Sequence, residues 1–386
     1  MRQGYEGIVV AAPVTVPYER YSIHGAHGWI GRALHGLLRA AGLKPADLDG
    51  ACLSSFTLGA DTAVGLTQHF GLSPRWLDHI PMGGAAGVVA LRRAARAVQA
   101  GDARIVACAA GDTNAPDSFR HTVAGFSRFA IDASVPYGSG GPNAAFALLT
   151  DAYMRHTGIT RADFGRICVA QRANARQFPH ALLRQPLSLE QYLSARMVSD
   201  PIALFDCVMP CAGAEAVLVM HEATARDLGL AYAHLRGAIE RHNAYPEDPV
   251  QLRGGWAMDC AELYAQAATT PAGIGLLQTY DDYPVIIALQ LEGLGFCAPG
   301  EAKDFIRAHD LRLEGDFPHN SSGGQLSAGQ AGAAGGYIGL TDAVRQLIRT
   351  PLGPQIPGLQ RALVSGFGMI NYDRGLCSGA VILEAA

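Results

Sequence analysis

Continuous apolar runs and helix-spaced apolar positions take turns along this chain. Residues 8–14 (Ile-Val-Val-Ala-Ala-Pro-Val) form one such run and predict a buried strand. Over 28–41, Ile30, Leu34, Leu37 and Leu38 share one helical face, and Gly42 closes the helix. A capped turn over 44–50 leads into a second strand at 51–56. A helix is predicted over 88–100, stopped by Gly101, with a further buried strand at 105–110. From 113 to about 206 the pattern changes: 137–143 is loop, helical patches follow, and Arg and Gln are plentiful. This stretch reads as an insertion between two elements of a first half. A strand resumes at 213–220, and a helix follows it through 228. From about 232 a second half begins, with a helix ending near 294, a helix over 337–348 and strands at 362–365 and 379–383. Strands and helices alternating at these lengths predict a layered α/β fold, divided as 1–231 and 232–386 with the insertion inside the first part.

At 386 residues the chain has length for two cores. Hydrophobic residues make up 49% and charged residues 17%, with a net charge of −4. That balance argues against a nucleic-acid partner or an anionic membrane surface. No apolar run approaches the roughly 18 residues of a membrane span. The opening residues have no signal-peptide profile, so the expected compartment is the cytoplasm. The eight cysteines are scattered and form no paired Cys-x-x-Cys motifs, so no metal site is expected. Cys207 and Cys211 come closest to a ligand pair and read as small buried thiols.

The most distinctive stretch is 319–336, His-Asn-Ser-Ser-Gly-Gly-Gln-Leu-Ser-Ala-Gly-Gln-Ala-Gly-Ala-Ala-Gly-Gly. It runs into the helix that carries Tyr337, Leu340, Val344, Leu347 and Ile348 on one face. Small residues at a helix start admit either a ligand oxyanion or another backbone, and composition alone leaves both open.

The stretch resembles the C-terminal active-site loop of the thiolase superfamily, in which Asn-x-x-Gly-Gly leads to a His in Gly-His-Pro. Asn320, Gly323, Gly324 and Gly329 match, while Gln330 and Ala331 stand at the His and Pro positions. Three other anchors agree: the small-residue turn Gly84–Gly87, the strand Gly213–Ala216 and the turn Tyr280-Asp281-Asp282-Tyr283. The last of these, with 291–301, is most similar to the sterol-carrier-protein-type thiolases and the lipid-transfer-protein-like aldolases. The resemblance implies a thiolase fold: two similar βαβαβαββ halves in a layered αβαβα arrangement, with a loop domain inserted in the first half.

The same resemblance shows what is missing. Gly84 stands at the position of the nucleophilic Cys, Val364 at that of the second Cys, and Gln330 at that of the catalytic His. Covalent acyl transfer by the usual route is therefore not expected. The resemblance implies instead retro-aldol cleavage of a β-hydroxyacyl-CoA, by a homodimer working with an OB-fold and zinc-ribbon subunit of the DUF35 type. It places Tyr280, Gln330 and Gly84 at the reacting centre; His319, directly before the Asn-x-x-Gly-Gly, reads either as a base reaching that centre in place of Tyr280 or as an exposed loop residue, and Asp281 and Asp282 orient Tyr280 or cap the next helix. Ser327, Ala328, Gly366 and Gly368 fall on the coenzyme A side, with 365–368 as a loop along the opposite wall. No tightly bound cofactor is expected; coenzyme A enters as part of the substrate, and zinc belongs only to the partner. The cluster 372–374 reads as a subunit or partner contact. The alternatives are a (retro-)Claisen acyltransferase with a rearranged nucleophile and a silent acyl-CoA-binding scaffold.

Overall fold

A computed structural model of the chain describes residues 4–58, 62–115, 125, 128–139, 141–372 and 374–386. Gly140 of the expected loop and Asp373 of the expected contact cluster lie outside the described residues. The strands are β1 (Ile8–Glu19), β2 (Gly50–Ser54), β3 (Trp76–His79), β4 (Ile105–Asp112), β5 (Met197–Ser199), β6 (Ile202–Ala203), β7 (Ala212–His221), β8 (Tyr232–His242), β9 (Leu276–Gln278), β10 (Arg361–Asn371) and β11 (Arg374–Ala385).

Nine of them form one sheet in the order β3-β2-β4-β7-β1-β8-β11-β10-β9. The first five come from before residue 222 and the last four from after 231, joined where Val9, Val10 and Ala11 of β1 pair with β8. Each part mixes parallel and antiparallel ladders, and the outermost pairs of each, β2 with β3 and β9 with β10, are parallel. The expected boundary at 231/232 falls at the start of β8.

Two helices, Ala86–Ala100 and Ile338–Leu347, touch strands of both parts. Nine of the ten residues of the second are buried, as a helix with sheet on both sides requires. Helix Ala26–Ala41 covers the outer face of the first part and Trp256–Gln266 that of the second. This gives the layered αβαβα plan that the resemblance implies.

The two central helices begin against each other, backbone to backbone. A Cβ on Gly87 would run onto the Gly336 carbonyl oxygen, and a Cβ on Gly336 onto the carbonyls of Gly83 and Gly84. Of the two readings left open for 332–336, the structure shows backbone packing.

The insertion carries helices Gly141–Thr157, Arg161–Gln177 and Leu189–Leu193 and the ribbon β5–β6. Its second helix packs on Gly324–Ala328 and thereby braces the glycine-rich loop. The pattern of the chain missed β3 and β9, whose three or four residues are too few to show a period. The resemblance, for its part, implied a loop at 365–368. Ser365 to Gly368 lie within β10, paired residue by residue with Ala380 to Cys377 of β11. No helix among the described residues is long and apolar enough to cross a membrane.

Candidate active site

A cavity of about 340 Å³ opens where the start of the first central helix, the end of β10, the insertion and the 280–283 turn converge. Its apolar surface comes from Phe56, Phe146, Val198, Val208, Phe367 and Ile370. Its polar side chains include Asp112, Asn143, Arg196, Tyr280, Asp282 and Gln330, and the position of each decides what the site can do.

Tyr280 is the side chain that stands at the Gly84 position. A Cβ on Gly84 would come within 2.1–2.3 Å of three Tyr280 ring carbons, so the phenol fills the space into which a side chain from residue 84 would project. The Tyr280 backbone is clamped on both sides. Its N–H donates to Ser365 O at 3.2 Å and to Gln290 Oε1 at 3.2 Å, and Gln290 Nε2 donates to its carbonyl at 2.7 Å. At the other end, the Tyr280 hydroxyl accepts from Gln330 Nε2 at 3.4 Å. The Gly332 N–H donates to Gln330 Oε1 at 2.6 Å, which fixes the amide with its NH2 toward the phenol.

The neighbouring aspartates face opposite ways. Asp281 is buried and accepts from Gln325 N at 2.9 Å, Leu326 N at 3.3 Å and Gln171 Nε2 at 2.9 Å. It holds the first turn of Gly324–Ala328, and burial pushes its pKa up to about 6 against those donors. Asp282 lines the cavity. The Tyr280 hydroxyl and the Gln330 amide offer it hydrogen bonds, but burial wins and, with the Asp281 charge adding to it, raises its pKa to about 7. Its Oδ1 is buried and has no hydrogen-bond partner. The Tyr280 phenol itself is pushed well above its ordinary value by burial and by the Asp282 charge. It is a donor at neutral pH. The other carboxylate of the cavity, Asp112, is fully engaged: Ser55 Oγ, Thr57 Oγ1 and the Phe56 and Ala333 N–H groups all donate to it.

Of the residues expected at the reacting centre, Tyr280, Gln330 and Gly84 line the cavity and His319 does not. His319 is 1% exposed, its Nε2 pairs with Thr279 Oγ1 at 2.8 Å, and burial drives its pKa down to about 3. It stays neutral and behind the wall, which corrects its assignment as a base. The four residues expected on the coenzyme A side are also absent from the lining. Ser327 Oγ is buried, accepting from Arg172 Nε at 3.1 Å, and Ala328 O accepts from Leu182 N. Gly366 and Gly368 press on the backbone of Met82, Gly84 and Ala85, so their lack of side chains serves packing.

Cys207 and Cys211 both reach the cavity. Burial pushes the Cys207 thiol up to about 12 and the Cys211 thiol higher, so neither is a thiolate at neutral pH. Sequence reasoning missed Asp282 as a cavity group. The acid-rich turn was the available signal, but nothing in its order of residues says which aspartate points inward.

Residues 239–377 match the family model of the thiolase C-terminal domain-like proteins. The chain is 32% identical over 344 residues to the 17-hydroxy-3-oxo-4-pregnene-20-carboxyl-CoA lyase of Mycobacterium tuberculosis, covering 85% of this chain and 88% of that one. It is 32% identical over 322 residues to the steroid side-chain-cleaving aldolase of Thermomonospora curvata, covering 79% and 81%. Among solved structures, the Ltp2-ChsH2(DUF35) aldolase superposes with a TM-score of 0.82 at 27% identity and covers 98% of each chain.

Proposed function

The chain belongs to the thiolase superfamily, on the branch of the steroid side-chain-cleaving aldolases, and from that premise we propose that it cleaves a C–C bond of a β-hydroxyacyl-CoA by a non-covalent retro-aldol reaction. The observation that carries this reading is the phenol at Gly84. A thiol there has no room, and the two cysteines that do reach the cavity are held protonated. What the cavity offers is a hydroxyl, an amide donor and a carboxylate in one cluster. A retro-aldol step needs such a set: a route for the β-hydroxyl proton and donors for the enolate oxygen, with no covalent intermediate.

The reacting set is Tyr280, Gln330 and Asp282, with Gly84 providing the space. The apolar walls suit a bulky ring system at the β-carbon. Coenzyme A enters as part of the substrate, and the chain itself needs no tightly bound cofactor. Among the described residues no cluster of three or more His, Cys, Asp or Glu is placed to hold a metal. The working assembly is a homodimer joined to an OB-fold, zinc-ribbon subunit of the DUF35 type, and the likeness to the Ltp2-ChsH2(DUF35) aldolase supports the DUF35 partner.

The test is incubation with a panel of β-hydroxyacyl-CoA thioesters, beginning with the 17-hydroxy-3-oxo-4-pregnene-20-carboxyl-CoA named for the relative. The expected products are a ketone and a shortened acyl-CoA, formed without consumption of free coenzyme A. Intact mass should show no acyl increment on the protein. A stable acyl adduct on any cysteine, or cleavage only of β-ketoacyl-CoA with free coenzyme A as acceptor, overturns the reading in favour of Claisen chemistry.

A further inference from the structure

A lyase site of this kind needs a group that takes the β-hydroxyl proton, and most candidates in the cavity are already excluded. His319 lies behind the wall. Gln330 has no basic atom. Asp112 has its lone pairs filled by Ser55, Phe56, Thr57 and Ala333. Tyr283 donates its hydroxyl to Asn143 Oδ1 and is held protonated. Asp282 remains. Among the described residues it is the cavity carboxylate with an oxygen that no protein hydrogen meets. It also shares the 280–283 turn with Tyr280, and both side chains line the cavity.

We propose that Asp282 is the terminal proton acceptor of the cleavage, receiving through the Tyr280 hydroxyl the proton that leaves the substrate's β-hydroxyl and returning it by the same route to the α-carbon. The assignment rests on the retro-aldol reading of the site. The β-O–H bond breaks and its proton goes to the Tyr280 oxygen, while the phenol's own proton goes to Asp282. The freed oxygen pair forms the new carbonyl, the Cα–Cβ bond breaks, and its pair becomes the thioester enolate. Transfer back from Asp282 through Tyr280 to Cα yields ketone and acyl-CoA. No oxidant, reductant or water is consumed.

Two features support Asp282 over a fixed structural carboxylate. A carboxylate that burial holds near pH 7 can both accept and release a proton there, where an ordinary aspartate only releases it. The division of labour with Asp281 also fits, since Asp281 spends its lone pairs on the 324–328 turn and adds a negative charge that raises its neighbour. The other charged or titratable groups that line the cavity with Asp282 are Tyr280, Tyr283, Cys207, Cys211, Asp112 and Arg196, the last a cation from the insertion.

Steady-state kinetics of β-hydroxyacyl-CoA cleavage, followed from pH 5 to 9, test the relay. In the wild type, kcat/KM should fall on the acid side with an apparent pKa of about 7. Asp282→Asn should lower kcat by roughly 10²–10⁴-fold, abolish that acidic limb and leave KM nearly unchanged. In a relay the two groups act as one. The double variant Tyr280→Phe/Asp282→Asn should therefore be no slower than the slower single variant. Should Asp282→Asn fail to fold by its melting curve, Asp282→Glu takes its place. A displaced acidic limb in Asp282→Glu supports the proposal and an unmoved one overturns it. Wild-type rate and limb in Asp282→Asn, or losses that multiply in the double variant, overturn the relay while the lyase reading stands. A wild type that cleaves no member of the panel overturns the lyase reading, and the relay with it.

Discussion

On one side of the cavity the wall is backbone: Gly83 to Gly87 packed against Gly332 to Gly336, with Gly366 and Gly368 pressed in behind. On the other side it is side chains, carried by the Tyr280–Tyr283 turn and by the insertion through Asn143 and Phe146. The first wall is fixed by close approach and has no freedom to accept a new group. The second carries the hydroxyl, the carboxylate and the stacked aromatic pair Phe146–Tyr283. The glycines are what stand out in the sequence, yet they hold the two halves together. The chemistry lies on an ordinary-looking turn that they leave room for.

The sharpest way to break this contrast is on the side-chain wall. Tyr280→Phe keeps the ring, its fit at Gly84 and both backbone clamps, and removes only the hydroxyl. Cleavage should slow by about 10²–10⁴-fold, with a melting temperature close to wild type. A wild-type rate with a lowered melting temperature would make Tyr280 a packing residue and dissolve the distinction between the walls.

On the backbone wall the expected effect is on stability. Gly84→Cys restores a thiol at the nucleophile position but drives its Cβ into the Tyr280 ring. Overpacking of this kind costs typically about 1–3 kcal/mol. Chemical denaturation should report that loss, and mass spectrometry should find no acyl adduct. Truncating the ring as well, in Gly84→Cys/Tyr280→Ala, should recover part of the stability and none of the lyase activity.

How far the two walls were legible in the sequence follows the same division. The central helices and long strands were readable because Leu340, Val344 and Leu347, or the run 105–110, carry a period or a continuous apolar stretch. The resemblance supplied Gly84, Tyr280 and Gln330, which do meet at the cavity. It could not supply the contact between Gly84 and Tyr280, because that contact is set by how the two halves close on each other. Asp281 and Asp282 are chemically identical and adjacent, and only the tertiary fold turns one inward to the cavity. His319 was misplaced for the same reason, since its burial comes from Thr279 and Asn174, far away in the chain.

The two aspartates give a finer test. Asp281→Asn removes a charged acceptor from four donors, the backbone and side-chain N–H groups of Gln325, Leu326 N and Gln171 Nε2, each such bond contributing about 1.5–3 kcal/mol before compensation by the retained amide oxygen. A net loss near the lower end is expected by denaturant titration. The pH dependence has a defined sign. The folded pKa of Asp281 is raised by burial to about 6 from its ordinary 3.8. Between those values the folded state binds more protons than the unfolded one, so this group's contribution is fully present below 3.8 and is lost as pH rises through 6. Asp281→Asn should flatten that part of the stability profile. Asp282→Asn should act instead on the rate profile.

The smallest effect is expected at His319. His319→Asn removes one buried hydrogen bond to Thr279, worth about 0.5–1.5 kcal/mol. It should leave kcat and its pH profile unchanged, because the imidazole is neutral throughout the working range. A lost limb in that profile would return His319 to the reacting set.

The phenol seated at residue 84 also constrains where this chain can go next. A cysteine arriving there alone meets an occupied space, and shrinking the ring first discards the hydroxyl before any thiol exists to replace it. Each single step passes through a protein that is either strained or without its reacting group. The occupied space at residue 84 thus acts as a ratchet: placing a working thiol there requires two codons to move together.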